Sequence, residues 1–317
     1  MNFNERLYLE DRTNDLLTIG ELLVDMISDA YDDTFMSNGY TKHSGGSPSN
    51  IALNAGKLGV RSRIAASVGK DGFGDFLMET LRLEGADTQF IQRAEASTSL
   101  VVVAKSRATP IPIFYRGADF QLRFTNQLEE ALLDSSVVHF SCWPLSMQPA
   151  RDVIERSIAL ARDRGTWIGF DPNYHPLIWR TGEDGVQYVK SMIGSVDVIK
   201  PSEDDAERLF GPDTPANQLE KFLELGAKLV ILTLGQDGAI VSNGRETREF
   251  PTMAAEVVDT TGAGDAFWSG FYAGMIKGHT LENALKLGFA VSAYKLKHVG
   301  AVVELPRLED IKDQYGI

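Results

Sequence analysis

The stretch Asp259-Thr260-Thr261-Gly262-Ala263-Gly264-Asp265 places a glycine turn, a helix start and an acid side by side. Small and apolar residues follow at helical spacing to about Lys277. A Thr-Gly-x-Gly turn feeding a helix leaves backbone N–H groups unpaired and pointing outward, and these add to the positive end of the helix dipole. The turn is therefore expected to bind an anion. Asp265 falls in the first helical turn, where it could take a proton from a hydroxyl while the donors hold developing phosphoryl charge. The competing reading is a glycine turn in which Asp265 only complements the dipole. Ala255-Glu256-Val257-Val258, just upstream, reads as a short strand.

A second stretch, Ser44-Gly45-Gly46-Ser47-Pro48-Ser49-Asn50, opens a helix expected to end at Gly56 or Gly59. Pro48 suits a first helical turn and Ser47 an N-cap. The paired glycines let a ligand approach the backbone, with Asn50 facing that gap; ordinary loop-and-cap chemistry is the alternative. Residues 16–27 read as one apolar strand interrupted by Glu21 and Asp25. A carboxylate inside such a run is costly to bury unless it is hydrogen-bonded. Asp25 is thus either an acceptor for ligand hydroxyls or an exposed strand end. Arg116 ends a strand apolar on both faces, Ile111-Pro112-Ile113-Phe114-Tyr115-Arg116, and is a candidate phosphate or hydroxyl contact or a surface arginine.

The elements that must carry these residues alternate. From Asn126 onward, strands at 137–140, 167–170, 196–200, 229–232 and 239–241 are predicted between helical segments. Repeated βα units predict a mainly parallel sheet with helices on both faces. Ligands in such sheets gather at the carboxyl ends of the strands. Asp171 and Asn173, Ser202 to Asp205, Thr233 to Gly238, and Asp265 all fall at that edge. Earlier strands at 97–105 and 111–116, joined by a Pro-containing turn, read as an antiparallel pair. With 21–43 they form a small β-sheet lid (about 21–43 and 97–119) on a single α/β domain spanning 1–317. Residues 1–14 read as a polar N-terminal extension. No Gly-x4-Gly-Lys-[Ser/Thr] is present, so a P-loop is not expected.

Of 317 residues, 43% are hydrophobic and 24% charged, enough to bury a substantial core. The formal net charge of −13 argues against nucleic acid or an anionic membrane as principal partners, and any phosphate must be met by local positive potential. The single cysteine, Cys142, cannot form an intrachain disulfide and suits a reducing compartment; its neighbours suggest a buried structural thiol. No secretory h-region and no membrane-length apolar run is seen, so a cytoplasmic setting is expected.

On Gly45-Gly46-Ser47-Pro48-Ser49-Asn50-Ile51-Ala52 and Asp259-Thr260-Thr261-Gly262-Ala263-Gly264-Asp265, in that order, the chain resembles the ribokinase-like (PfkB) carbohydrate kinases, most of all bacterial fructokinases. The resemblance covers about residues 16–304. It implies a ribokinase-like α/β fold with a β lid, ATP as co-substrate, Mg²⁺, a monovalent cation such as K⁺, and phosphorylation of a sugar's primary hydroxyl, most simply D-fructose to fructose 6-phosphate. Asp265 corresponds to the family's base, and the backbone of Gly262, Ala263 and Gly264 to its anion hole. Asp25, Gly45, Gly46, Asn50 and Arg116 correspond to sugar contacts. Asn173, His175, Lys200, Ser202, Thr233, Gly235 and Gly238 correspond to the nucleotide side, with Asp205 reaching the metal through water. A homodimer formed partly through the lid is expected. Two departures stand out: Ser202-Glu203-Asp204-Asp205 where relatives often carry Asn-x-x-Glu, and His175 where an arginine is usual, which replaces a permanent charge by a titratable one. A kinase for 2-keto-3-deoxygluconate, ribose or a nucleoside, and a non-catalytic sugar or nucleotide sensor, are the alternative readings.

Overall fold

Adjacent apolar residues of the first strand bury on opposite faces of one sheet, as the two-residue period of a strand requires. Leu16 joins one apolar cluster and Leu17 the other, and Val137 and Val138 repeat the split on the neighbouring strand. The computed structural model describes residues 1–32, 34–105 and 112–317. Its strands in chain order are β1 (Asn14–Ile19), β2 (Leu23–Tyr31), β3 (Tyr40–Gly45), β4 (Ser62–Gly69), β5 (Ile91–Ala94), β6 (Leu100–Lys105), β7 (Ile113–Tyr115), β8 (Ser135–Ser141), β9 (Trp167–Asp171), β10 (Val198–Ile199), β11 (Leu229–Thr233), β12 (Ala239–Ser242) and β13 (Thr247–Phe250).

The large sheet runs β13-β12-β11-β10-β9-β8-β1-β4-β5. From β5 to β11 every pairing is parallel, and β12 and β13 add an antiparallel edge. Helices Asn126–Leu133, Ala150–Asp163, Gly185–Ile193, Glu203–Phe210 and Pro215–Glu224 cover one face. Helices Ser47–Lys57, Ala263–Ile276, Leu281–Lys295 and Leu308–Tyr315 cover the other. The mainly parallel α/β architecture read from the sequence is the one observed. Helix Ala263–Ile276 is buried on every side, between Ser47–Lys57 and Leu281–Lys295. That is why its sequence is apolar all round rather than amphipathic.

The second sheet, β3-β2-β6-β7, is the lid. β2 pairs antiparallel with β3 and parallel with β6, and β6 pairs antiparallel with β7. The turn expected between β6 and β7, and Ile111 at the start of the expected strand, lie outside the described residues. Leu22 and Val24 at the lid base pack with Ile64, Leu77 and Leu81 in a third cluster, which fixes the lid to β4 and helix Gly72–Leu83.

Three expectations need correcting. Residues 16–27 are two strands in two sheets, because the chain leaves the large sheet at Gly20-Glu21-Leu22 to enter the lid. The strand expected at 255–258 does not form: Val257 and Val258 are 59% and 54% exposed, and the Val258 amide donates to the Leu296 carbonyl (2.7 Å) instead of to a strand. β5 and β13 were not anticipated, being short segments with mixed polarity.

The polar segment before β1 is tied down. Phe3 is fully buried against Phe250, with ring centroids 6.4 Å apart. The carbonyls of Glu5 and Phe3 accept from the Leu281 and Glu282 amides (both 2.9 Å), satisfying orphan donors at the start of helix Leu281–Lys295. Phe3→Ala is expected to lower the unfolding free energy by about 3 kcal/mol in urea denaturation. A loss below about 1 kcal/mol would show that the segment lies outside the cooperative core.

Candidate active site

The starts of two helices meet at the carboxyl edge of the large sheet. At one, Gly262 adopts a left-handed conformation (φ 72°), and a Cβ there would sit 2.6 Å from the Ala301 Cα, so only glycine fits. Asp259 braces the turn: its carboxylate accepts from the amides of Thr261 (2.9 Å) and Gly300 (2.8 Å), and its carbonyl from Lys295 Nζ (2.7 Å). The Ala263 amide turns back to the Thr260 carbonyl (3.2 Å). The next two N–H groups, on Gly264 and Asp265, have no intrahelical acceptor and make an anion cradle.

Asp265 is buried in the first turn. Its Oδ1 accepts from Ser47 Oγ (2.6 Å) and its Oδ2 from Asn50 Nδ2 (2.9 Å), both from helix Ser47–Lys57. Burial pushes its carboxyl up to about 6 against the pull of these two donors. Asp25, on β2, is raised to about 7, mainly by burial and further by the charge of Asp265. Its seat depends on Gly45, where a Cβ would stand 2.0 Å from Asp25 Oδ2. The glycine pair expected to admit a ligand thus admits a carboxylate of the chain itself. Glu21 is raised to about 8 by burial, although it accepts from Ser141 Oγ (2.9 Å) and the Ser47 amide (3.2 Å).

Next to this acid cluster, Lys200 forms a buried ion pair with Asp171 (2.9 Å), and Asp171 Oδ2 also accepts from Trp268 Nε1 (2.7 Å). Lys200 opens onto a cavity of about 560 Å³ between the Thr233–Gly238 loop and the cradle. Lys200, Ser202, Thr233, Gly235 and Gly238 line it, with Ala263 and Gly264 opposite and Met253, Phe289 and Leu296 forming an apolar wall. Five of the residues expected on the nucleotide side therefore share one cavity. Asn173 and His175 do not line it; the Asn173 side chain lies 3.4 Å from Ser47 Oγ, nearer the acids.

Other expected site residues have partners that the sequence did not suggest. Arg116 is held by Asp119 in a buried pair (Nε–Oδ2 2.9 Å) and also donates to Ser146 Oγ (2.5 Å), with its guanidinium over the Trp143 ring. It is neither a surface arginine nor a cation free for a phosphate. Asp205 completes the capping box that Ser202 opens on helix Glu203–Phe210: Oδ2 accepts from the Ser202 amide (3.0 Å) and Oδ1 from the Tyr174 amide (2.7 Å). His175 packs edge-on against Phe114, and its Nδ1 accepts from the Leu177 amide (3.2 Å). Burial and then Arg208 hold it below the usual imidazole range, which disfavours the charged ring where relatives carry an arginine. Cys142 is buried, with its thiol raised by burial, as a structural thiol should be.

Sequence reasoning left Glu21, Ser47 and Trp268 out of the site, and it placed Asp171 at the ligand edge without finding its pairing with Lys200. Glu21 carried a signal, a carboxylate inside an apolar run; Trp268 carried none. Among the described residues no three His, Cys, Asp or Glu side chains form a metal cage. Mg²⁺ keeps several waters and binds largely through substrate phosphates, so it needs none.

The reassignment of Arg116 is testable. Arg116→Ala leaves Asp119 buried and unpaired, and the expected result is a loss of about 3–5 kcal/mol in chemical denaturation. An unchanged unfolding midpoint, with a large rise in the KM of either substrate, would return Arg116 to the list of ligand contacts.

Comparison with known proteins agrees with this geometry. The pfkB family carbohydrate kinase pattern matches residues 13–308. The ATP-dependent 6-phosphofructokinase of Thermoanaerobacterium thermosaccharolyticum is 54% identical over 316 residues, covering 100% of this chain and 98% of that one. The structure of Halothermothrix orenii fructokinase superposes with a TM-score of 0.78 at 43% identity, over 87% of this chain and 97% of that one. A double mutant of the Vibrio cholerae fructokinase, in a fructose-, ADP- and potassium-bound form, gives a TM-score of 0.83 at 27% identity, over 96% and 99%. A glycine turn that cradles an anion, a buried acid at its helix start and a family match over nearly the whole length lead to one conclusion: the chain belongs to the PfkB family of carbohydrate kinases.

Proposed function

We propose that this ATP-dependent sugar kinase acts on a neutral ketohexose, D-fructose first, and phosphorylates its primary O6. The observation that carries this reading is the character of the acceptor side. Glu21, Asp25 and Asp265 crowd it with acids, while Arg116, the cation expected there, is spent on Asp119. Such a pocket offers donors and acceptors to hydroxyl groups, and a carboxylate or phosphate placed beside Asp25 would find no partner in Arg116. A specific finding favours a second reading: the relative at 54% identity is named a 6-phosphofructokinase, which points to fructose 6-phosphate as acceptor and to a different hydroxyl.

In either case the chain's residues divide the work the same way. Asp265 takes the proton of the attacking hydroxyl, with Asn50 and Asp25 orienting the sugar. The free N–H groups of Gly264 and Asp265, set by the Gly262 turn, and the Lys200 ammonium receive the charge that develops on the transferred group; the Ala263 amide, expected to share that role, is spent on the Thr260 carbonyl. The cavity walled by Met253, Phe289 and Leu296 has the size and apolar lining to take the nucleotide base, with Ser202, Thr233, Gly235 and Gly238 around it and Asn173 and His175 beyond. Mg²⁺ would neutralise phosphate charge when bound, and K⁺ is a further candidate ion on the strength of the potassium-bound neighbour. Lid closure would exclude water that would otherwise hydrolyse ATP.

The test is kcat/KM for fructose, fructose 6-phosphate, 2-keto-3-deoxygluconate, ribose and adenosine, side by side with ATP and Mg²⁺, with Asp265→Asn as control. Fructose should lead, and the variant should lose at least ~10²-fold in kcat. A tenfold lead for another acceptor would displace fructose, and near-normal turnover of the variant would remove Asp265 as base.

The reading includes a homodimer through the lid and a cytoplasmic setting. Ile113 and Tyr115 are 40% and 57% exposed, whereas Phe114 between them turns inward onto Trp143. No helix among the described residues is long and apolar enough to cross a membrane. Light scattering at micromolar concentration should give the mass of two chains, and a monomer mass would refute the dimer.

A further inference from the structure

Ser47 carries a hydroxyl that its place in the helix does not explain. The N-cap position belongs to Gly46, and no side chain caps that end, so the capping role expected of Ser47 is not the one observed. The hydroxyl instead donates across the site to Asp265 Oδ1 at 2.6 Å. The main chain of Ser47 is itself fixed, because its amide donates to Glu21 Oε1 (3.2 Å) while Ser141 Oγ holds Glu21 Oε2 (2.9 Å). From the end of β9, Asn173 Nδ2 reaches Ser47 Oγ at 3.4 Å. Asp265 and Asn173 thus meet at one hydroxyl, and Glu21, held by Ser141, fixes the main chain that carries it.

A base must be ionised when its substrate arrives, and the surroundings of Asp265 work against that. Burial does most of this and Asp171, from the end of β9, adds to it, while the Asp265 charge in turn raises Asp25 on β2 and Glu21 in the β1–β2 connection. Lys200, after β10, helps, but Asp171 pairs with it at 2.9 Å. Lys295, from helix Leu281–Lys295, feels the Asp265 charge while its ammonium is bonded to the Asp259 carbonyl. What remains in favour of the carboxylate is direct donation, which is short and charge-assisted. Asn50 supplies one such bond and Ser47 the shorter one.

We propose that Ser47 is a positioning residue for the proton acceptor: its hydroxyl keeps Asp265 ionised and aims it, and Glu21 and Asn173 set that hydroxyl in place. The proposal rests on the kinase reading, in which Asp265 takes a proton from the sugar. Asn50 bonds Oδ2 and Ser47 bonds Oδ1, so the carboxylate cannot rotate freely.

The experiment compares wild type, Ser47→Ala and Ser47→Thr by ¹³C NMR titration of carboxyl-labelled aspartate. The Asp265 resonance is identified as the one lost in Asp265→Asn. Ser47→Ala should raise the Asp265 midpoint by about one pH unit, since a donor to the charged form is gone. Ser47→Thr, which keeps the hydroxyl, should stay within about 0.3 unit of wild type. The acid limb of kcat/KM against pH should move up with the NMR midpoint in Ser47→Ala and stay put in Ser47→Thr. A purely structural role would move neither. An Asp265 midpoint in Ser47→Ala within about 0.3 unit of wild type overturns the proposal, as does an acid limb that shifts without it. The NMR arm needs no turnover, so inactivity of the wild type towards every sugar would count against the kinase reading and leave the Ser47 result to stand on its own.

Discussion

The structure depends on one buried carboxylate bonded between two helix starts. Asp265 opens helix Ala263–Ile276, and its two oxygens are held by Ser47 and Asn50 of helix Ser47–Lys57. These bonds fix the cradle of the Gly264 and Asp265 amides relative to the turn that follows the lid. The helix behind Asp265 can be so deeply buried because its other polar groups find partners: Trp268 Nε1 donates to Asp171, Ser269 Oγ lies on the Ile51 and Asp265 carbonyls, and the Tyr272 hydroxyl meets His139 Nδ1. Beyond it, Trp268 and Tyr272 stack with centroids 5.2 Å apart, and Phe267 and Phe271 pack in the same core.

Such a site works against the stability of the fold. Asp265, Asp25 and Glu21 are raised to about 6, 7 and 8, so the folded chain keeps protons that the unfolded chain would release. For an acid with a raised folded pKa, the stabilising contribution is complete below the ordinary carboxylate range and is lost as pH rises through the folded value. Between that range and about pH 8 the three acids therefore weaken the fold progressively. Acids gathered at such cost in one cleft mark a site that serves chemistry.

A chain of net charge −13 must still hold a polyanion. In the proposed function it does so with fixed dipoles instead of an excess of cations: two backbone N–H groups at a helix start and one ammonium already paired with Asp171. Free arginines would have been the simpler device. The arginine nearest the sugar side, Arg116, is used instead to knit the base of the lid, because Asp119 also binds Ser99, the Gly117 amide and Trp143 Nε1. In the proposed function that arrangement leaves the acceptor pocket acidic and suited to hydroxyl groups.

What the sequence determined by itself was local. The βα alternation, the helix starting near Asp265 and the outward N–H groups of its first turn follow from periodicity and glycine placement within a few residues, and the parallel sheet follows from their repetition. Length and apolar content allowed the core but did not say which strand enters which sheet, so the break at Glu21 between β1 and β2 was read as continuous. The tertiary structure alone decided which groups meet. Ser47 and Asp265 are 218 residues apart, and nothing near either one says that a serine at a helix start will spend its hydroxyl on a distant carboxylate instead of its own backbone. Arg116 and Asp119 are only three residues apart, yet their pairing depends on the short turn Ala118–Gln121 and on the surface of Trp143 being brought beneath it. Charge and hydrogen-bond partners across a cleft depend on distance in space, and chain order does not carry that distance.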